Sequence, residues 1–140
     1  MRLEIAPPRA DDLERLYALA RGVFAGLPGW NDRHVLDVLS HDLVFVAREE
    51  EQPAGYVALH HDPGSTAIVV DQLFVAPGHE HRGVGHRLLA YAEGYAISEG
   101  MAALRIVAER SNWRARSFYH RSGFVAVEPE LLELVLPHAD

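Results

Sequence analysis

Ile68-Val69-Val70-Asp71-Gln72-Leu73-Phe74-Val75-Ala76-Pro77-Gly78 runs directly into His79-Glu80-His81-Arg82-Gly83-Val84-Gly85-His86-Arg87-Leu88-Leu89, and the fold turns on this stretch. The first part is apolar and β-branched and is closed by Ala-Pro-Gly, the composition of a buried strand. The last part opens an apolar stripe at helical spacing, so a strand feeds a glycine-rich turn and then a helix N-terminus. Such a turn binds anions. Glycines let a ligand approach the backbone, and the unpaired N–H groups and positive dipole end of the helix point at it. Arg82 and Arg87 add positive charge.

The kind of anion is narrowed by what the turn lacks. A dinucleotide fingerprint would place its third glycine at position 88, which is Leu88. A Walker loop needs a lysine, and the chain contains none. On the turn alone, an ordinary glycine-rich helix start is the alternative. A second stretch adds weight: Asn112-Trp113-Arg114-Ala115-Arg116-Ser117-Phe118-Tyr119, followed by Arg121-Ser122-Gly123-Phe124. On a helix, Ala115, Phe118 and Tyr119 share a face, with Asn112 one turn earlier. Phe118 reads as a packing aromatic, whereas the Tyr119 hydroxyl needs a partner if it is buried.

Together the two stretches resemble the GCN5-related N-acetyltransferase (GNAT) family. Gly83 and Gly85 fall on the glycine positions of its pyrophosphate loop, Gln/Arg-x-x-Gly-x-Gly/Ala, with Leu88-Leu89 as the apolar pair that follows. Asn112, Ala115, Phe118 and Tyr119 fit its second signature, Asn-x-x-Ala-x-x-Phe/Leu-Tyr, before Gly123-Phe124. Glu80 departs from the usual Gln or Arg, and a carboxylate beside a pyrophosphate is expected to turn outward.

The resemblance implies acetyl-CoA as acyl donor. Its pyrophosphate would lie at Arg82, Gly83, Val84, Gly85, His86 and Arg87, and its pantetheine arm along Leu73, Phe74 and Val75. Asn112, Ala115 and Phe118 would complete the cofactor site. Tyr119 would meet the sulfur and protonate the departing thiolate. An alkylammonium has a pKa near ~10, so an acceptor amine must also lose a proton. Asp71 stands where the family often carries an acid, and strict alternation puts it on the face of Leu73 and Val75. A strand carboxylate paired with an arginine is the alternative, and His60, His61 and Glu109 are reserve bases. Phe24, Leu27 and Trp30 fall where the family builds its acceptor pocket, though they serve equally well as core.

Bulk properties set the limits. The chain has 140 residues, 49% hydrophobic and 24% charged, which suits one domain over residues 1–140 with a real core. Neither a membrane-length apolar run nor a secretory leader is evident, so a cytoplasmic location is expected. The absence of cysteine excludes disulfides, thiolate metal sites and a cysteinyl acyl-enzyme, so acyl transfer would be direct. Net charge is −7, yet residues 82–121 hold seven arginines against Glu93, Glu99 and Glu109. The rest of the chain is therefore strongly acidic. No basic patch with interleaved aromatics offers a nucleic-acid surface. Nine histidines raise a metal site, but His79-Glu80-His81 and His60-His61 lack the i, i+4 spacing of a hydrolytic zinc centre, and none is expected.

Periodicity predicts the order β-α-α-β-β-β-α-β-α-β-β, an α/β domain with a mixed sheet. The strands are Leu3 to Ala6, Leu43 to Ala47, Ala54 to Leu59, Thr66 to Val75, Ala103 to Ala108, and a hairpin from Phe124 to Leu136 turning at Pro129-Glu130. Helices follow Asp11, span Asp32 to Leu39, follow Gly85 and follow Asn112. The reading that results is an N-acetyltransferase acting on a small-molecule amine, or less readily on a protein amino terminus. A non-catalytic acyl-CoA-binding module on the same fold is the alternative. A homodimer is left open.

Overall fold

The structure, a computed structural model, describes residues 2–24 and 32–137. The elements are β1 (Leu3–Ala6), α1 (Asp12–Phe24), α2 (Asp32–His41), β2 (Leu43–Glu49), β3 (Gln52–His61), β4 (Ala67–Val75), α3 (Val84–Ser98), β5 (Ala103–Val107), α4 (Trp113–Arg121), β6 (Val125–Glu128) and β7 (Leu131–Val135). This is the predicted order. One sheet runs β1-β2-β3-β4-β5-β7-β6, and every neighbouring pair is antiparallel except β4 with β5.

Helices cover both faces, which explains why β2 and β3 are apolar almost throughout rather than alternating. Period-two geometry divides their side chains between two cores. Phe45, Ala47, Val57, Leu59, Ile68 and Val70 pack with Val84, Leu88, Leu89, Ala92 and Ala96 of α3. On the other face Val44, Val46, Tyr56, Ala58 and Phe74 pack with Leu16 and Ala20 of α1 and with Val35, Val38 and Leu39 of α2. Each fully buried leucine or valine contributes roughly 1.5–3 kcal/mol relative to exposure. Among the described residues no helix is long and apolar enough to cross a membrane.

Two local expectations are corrected. The β2–β3 hairpin is tighter than the expected strands, ending at Ala47 and resuming at Ala54, would make it. The strands continue to the pair Glu49–Gln52, leaving a two-residue turn at Glu50 and Glu51 with φ of 51° and 67°. Two-residue turns with both φ positive match the twist of the flanking strands, but they normally announce themselves with Asn or Gly. The second correction concerns alternation in β4. Ala58 faces Gln72 while Leu59 faces Val70, so Asp71 is the extra residue of a β-bulge.

β4 and β5 are paired only from Ala67–Ala103 to Val70–Ile106. Beyond Val70 the two strands part, although β4 stays paired with β3 as far as Val75. Among the described residues the stretch from Asp71 to Val75 therefore has no strand partner on the β5 side, and α3 begins a short turn later.

Candidate active site

At the parting of β4 and β5 lies an open cleft of about 660 Å³ lined by Leu73, Val75, His79, Glu80, His81, Gly83, Val84, Gly85, His86, Ala115, Phe118, Tyr119 and Arg121. The glycine turn and the Asn112 helix, separate in sequence, thus face one space. Gly83 is the N-cap of α3 in the left-handed conformation, φ 80°, and among the described residues no side chain caps the helix. The first-turn N–H groups are left for an external anion. Among the described residues a Cβ on Gly83 would meet nothing within 4 Å, so space for a ligand and the positive φ explain the glycine, rather than internal packing. Gly85 differs, since its Cβ would sit 3.5 Å from Val75 and 3.7 Å from Phe118.

The second signature divides its labour. Asn112 accepts a hydrogen bond from the Ala115 N–H at 3.4 Å and so caps α4; it does not line the cleft. Ala115 and Phe118 do, with the Phe118 ring 5.5 Å from that of His86. Tyr119 is 8% exposed between Phe118 and Phe124. Among the described residues its hydroxyl makes no hydrogen bond that ties it to the fold. Burial raises its pKa to about 12, so it is a neutral phenol with a proton to give at any ordinary pH.

The expected arginines are placed elsewhere. Arg82 pairs with Glu49, a carboxylate 5% exposed at the end of β2, and His79 Nδ1 lies 3.6 Å from the same carboxylate. Arg87 reaches back 3.4 Å to the Leu3 carbonyl. Arg121, at the end of α4, lines the cleft instead. In the sequence it stands just before Gly123-Phe124, and its basic charge at the close of the motif is the available signal. Glu80 is exposed and borders the cleft. The Phe74 side chain is buried on the opposite face, its ring 5.4 Å from Tyr56, so only its backbone borders the free edge.

Asp71 is also on that opposite face, which corrects the expected grouping with Leu73 and Val75. The bulge turns Asp71 and Gln72 the same way: Gln72 accepts from the Tyr56 hydroxyl at 2.5 Å, and Asp71 meets His60 Nδ1 at 2.5 Å. Asp42, which no sequence pattern singled out, joins them, and one polar atom from each of Asp42, His60 and Asp71 lies within 4.8 Å of the others. Burial, then Asp71, push Asp42 up to about 7, and His60 partly offsets this. His61 lines a second cavity of about 590 Å³ with His41, Tyr95 and Glu99. Glu109 is exposed and does not line the cleft. Among the described residues His79 and His81 join no group with metal-ligand spacing. Leu27 and Trp30 lie outside the described residues, as does the Phe24 side chain.

Comparison with known proteins places these features in context. The model of the acetyltransferase (GNAT) family matches residues 11–124. An uncharacterised N-acetyltransferase, YhfO, of Bacillus subtilis (strain 168) is 30% identical over 86 residues, 59% of this chain and 58% of YhfO. Streptothricin acetyltransferase of Streptomyces lavendulae is 30% identical over 71 residues, 51% of this chain and 38% of that protein. The matched stretch thus spans less than two thirds of either relative. The crystal structure of PaiA N-acetyltransferase from Thermoplasma acidophilum in complex with coenzyme A superposes with a TM-score of 0.74 at 20% identity, covering 96% of this chain and 99% of that one.

Proposed function

Because this chain belongs to the GNAT acetyltransferase family, we propose that it transfers an acetyl group directly from acetyl-CoA to a primary amine of a small molecule. The observation that carries the reading is convergence. The uncapped N-terminus of α3, the free edge of β4 and the Tyr119 hydroxyl all open on one cleft. The α3 N–H groups and Gly83 hold the donor's pyrophosphate, helped by Arg121, while the Leu73–Val75 backbone pairs with the pantetheine amides as an added strand would. Tyr119 then stands at the sulfur end.

The amine approaches from the α1 and α2 face of β4, where Asp71 takes a proton from the ammonium. The free nitrogen attacks the thioester carbonyl, the C–S bond breaks, the thiolate takes the Tyr119 proton, and the second proton leaving the new amide nitrogen restores the Tyr119 phenol. The chain has no cysteine to form an acyl-enzyme, which fits a direct transfer. The small-molecule acceptor is supported by streptothricin acetyltransferase, a relative named for one. A free-thiol release assay with acetyl-CoA across polyamines, aminoglycosides, amino acids and peptides tests the proposal. Turnover with a small amine supports it, turnover confined to peptides moves the acceptor class, and coenzyme binding without thiol release favours a non-catalytic binding module.

A further inference from the structure

Asp42 belongs to no motif, yet the fold brings it to the most chemically loaded point on the α1 and α2 face. Its N–H donates to the Val38 carbonyl at 2.9 Å, which fixes it just past the C-terminus of α2, the negative end of the helix dipole. One residue before the Leu43–Leu59 pair, it comes beside His60, and through the bulge beside Asp71. Asp42 Oδ2 is shut off from solvent with no donor assigned to it among the described residues, while the Asp42 carboxyl lies in hydrogen-bond reach of the Asp71 carboxyl.

We propose that Asp42 is a positioning residue for amine deprotonation: Asp42 and Asp71 form a carboxylate pair that holds one proton between them, while His60 fixes the outer side of Asp71 where β4 leaves β5. This rests on the acetyl-transfer reading above. Two carboxylates in hydrogen-bond reach cannot both be charged cheaply, and the helix end and the burial of Asp42 disfavour its anion further. The groups that face Asp42 are Asp71 from β4 and His60 from β3; His41 of α2 is turned to the Asp37 carbonyl, 2.9 Å away. The last proton of the pair therefore leaves near neutrality, where a general base combines a large ionised fraction with useful basicity. In the reaction the fully ionised pair takes up the ammonium's proton as its one shared proton, and His60, partly exposed, passes it to solvent.

The structure of the pair can be read without turnover. A carboxyl that stays protonated in the fold up to about 7, against 3.8 when unperturbed, binds a proton that the unfolded chain has already released. Stability therefore falls as pH rises between those values and levels off above the upper one.

Asp42→Asn keeps the shape and removes the shared proton. Its kcat should lose the acid limb near neutrality, the limb moving down by about two pH units or more toward the ordinary carboxylate range. Thermal melting should show wild type losing ground to Asp42→Asn as pH rises from about 5 to about 8. A wild type that releases no thiol with any amine sinks the acetyl-transfer reading alone, because the melting comparison still reports the shared proton. An active wild type whose Asp42→Asn copy keeps the same acid limb and the same pH dependence of melting overturns the pair. Should Asp42→Asn fold poorly, Asp42→Glu should restore both the acid limb and the melting trend, and failure to restore either in a folded Asp42→Glu overturns the proposal.

Discussion

Tyr119 is a residue whose two roles separate in one substitution. Its ring packs between Phe118 and Phe124, and its hydroxyl opens on the cleft with no hydrogen bond to the fold among the described residues. Tyr119→Phe keeps the ring and gives up no protein hydrogen bond, so the melting point should barely move. Turnover should fall by roughly 10²-fold or more if the phenol protonates the thiolate. Steady-state kinetics beside a melting curve check this, and full turnover in the variant removes Tyr119 from the chemistry. Its position was legible because i, i+3, i+4 spacing survives folding unchanged. The partners of Arg82 and Asp71 were not. Glu49 lies 33 residues from Arg82, and Asp42 lies far before Asp71, so no local pattern could announce either meeting.

At the scale of elements, the turn into α3 carries the donor site. Valine at position 83 would have to adopt φ near 80°, a conformation that costs an L-residue about 1–2 kcal/mol, and its branched side chain would stand in the open space over the helix N-terminus. Gly83→Val should therefore weaken acetyl-CoA binding by about 2 kcal/mol or more, roughly 30-fold in Kd. Isothermal calorimetry reads this directly, and wild-type affinity would rule out donor binding at this turn. Binding should also weaken with added salt, since Arg121 and the helix end are exposed to screening. The elements themselves were readable because stripes and alternation are local. The bulge at Asp71 was not, because an inserted residue is defined only by what the partner strand lacks.

For the whole molecule, one buried ion pair ties α1 to the sheet. Asp12, 1% exposed, pairs with Arg48 near the end of β2 and accepts from the Arg9 N–H at 2.6 Å. Asp12→Asn takes away the buried carboxylate in contact with the guanidinium and should cost about 3 kcal/mol or more. Denaturant unfolding measures it, and a loss under about 1 kcal/mol would show that solvent reaches Arg48. The sequence marked Asp11 as the start of this helix and passed over its neighbour, because a charge destined for the interior looks like any other in the chain.

The bulge has a consequence at the same scale. β4 stands as a septum, with Tyr119 and the glycine turn on one side and Asp71, His60 and Asp42 on the other. On the proposed function, donor and acceptor enter by separate doors and meet only across the gap that opens after Val70. Neither should obstruct the other's entry. Coenzyme A should then compete with acetyl-CoA but not with the amine, and a saturating amine should leave donor affinity nearly unchanged. Product-inhibition kinetics decide it: competition between coenzyme A and the amine would mean one shared chamber. A molecule that blocks both doors would have to pass through the wall itself, at the gap where the sheet lacks a rung.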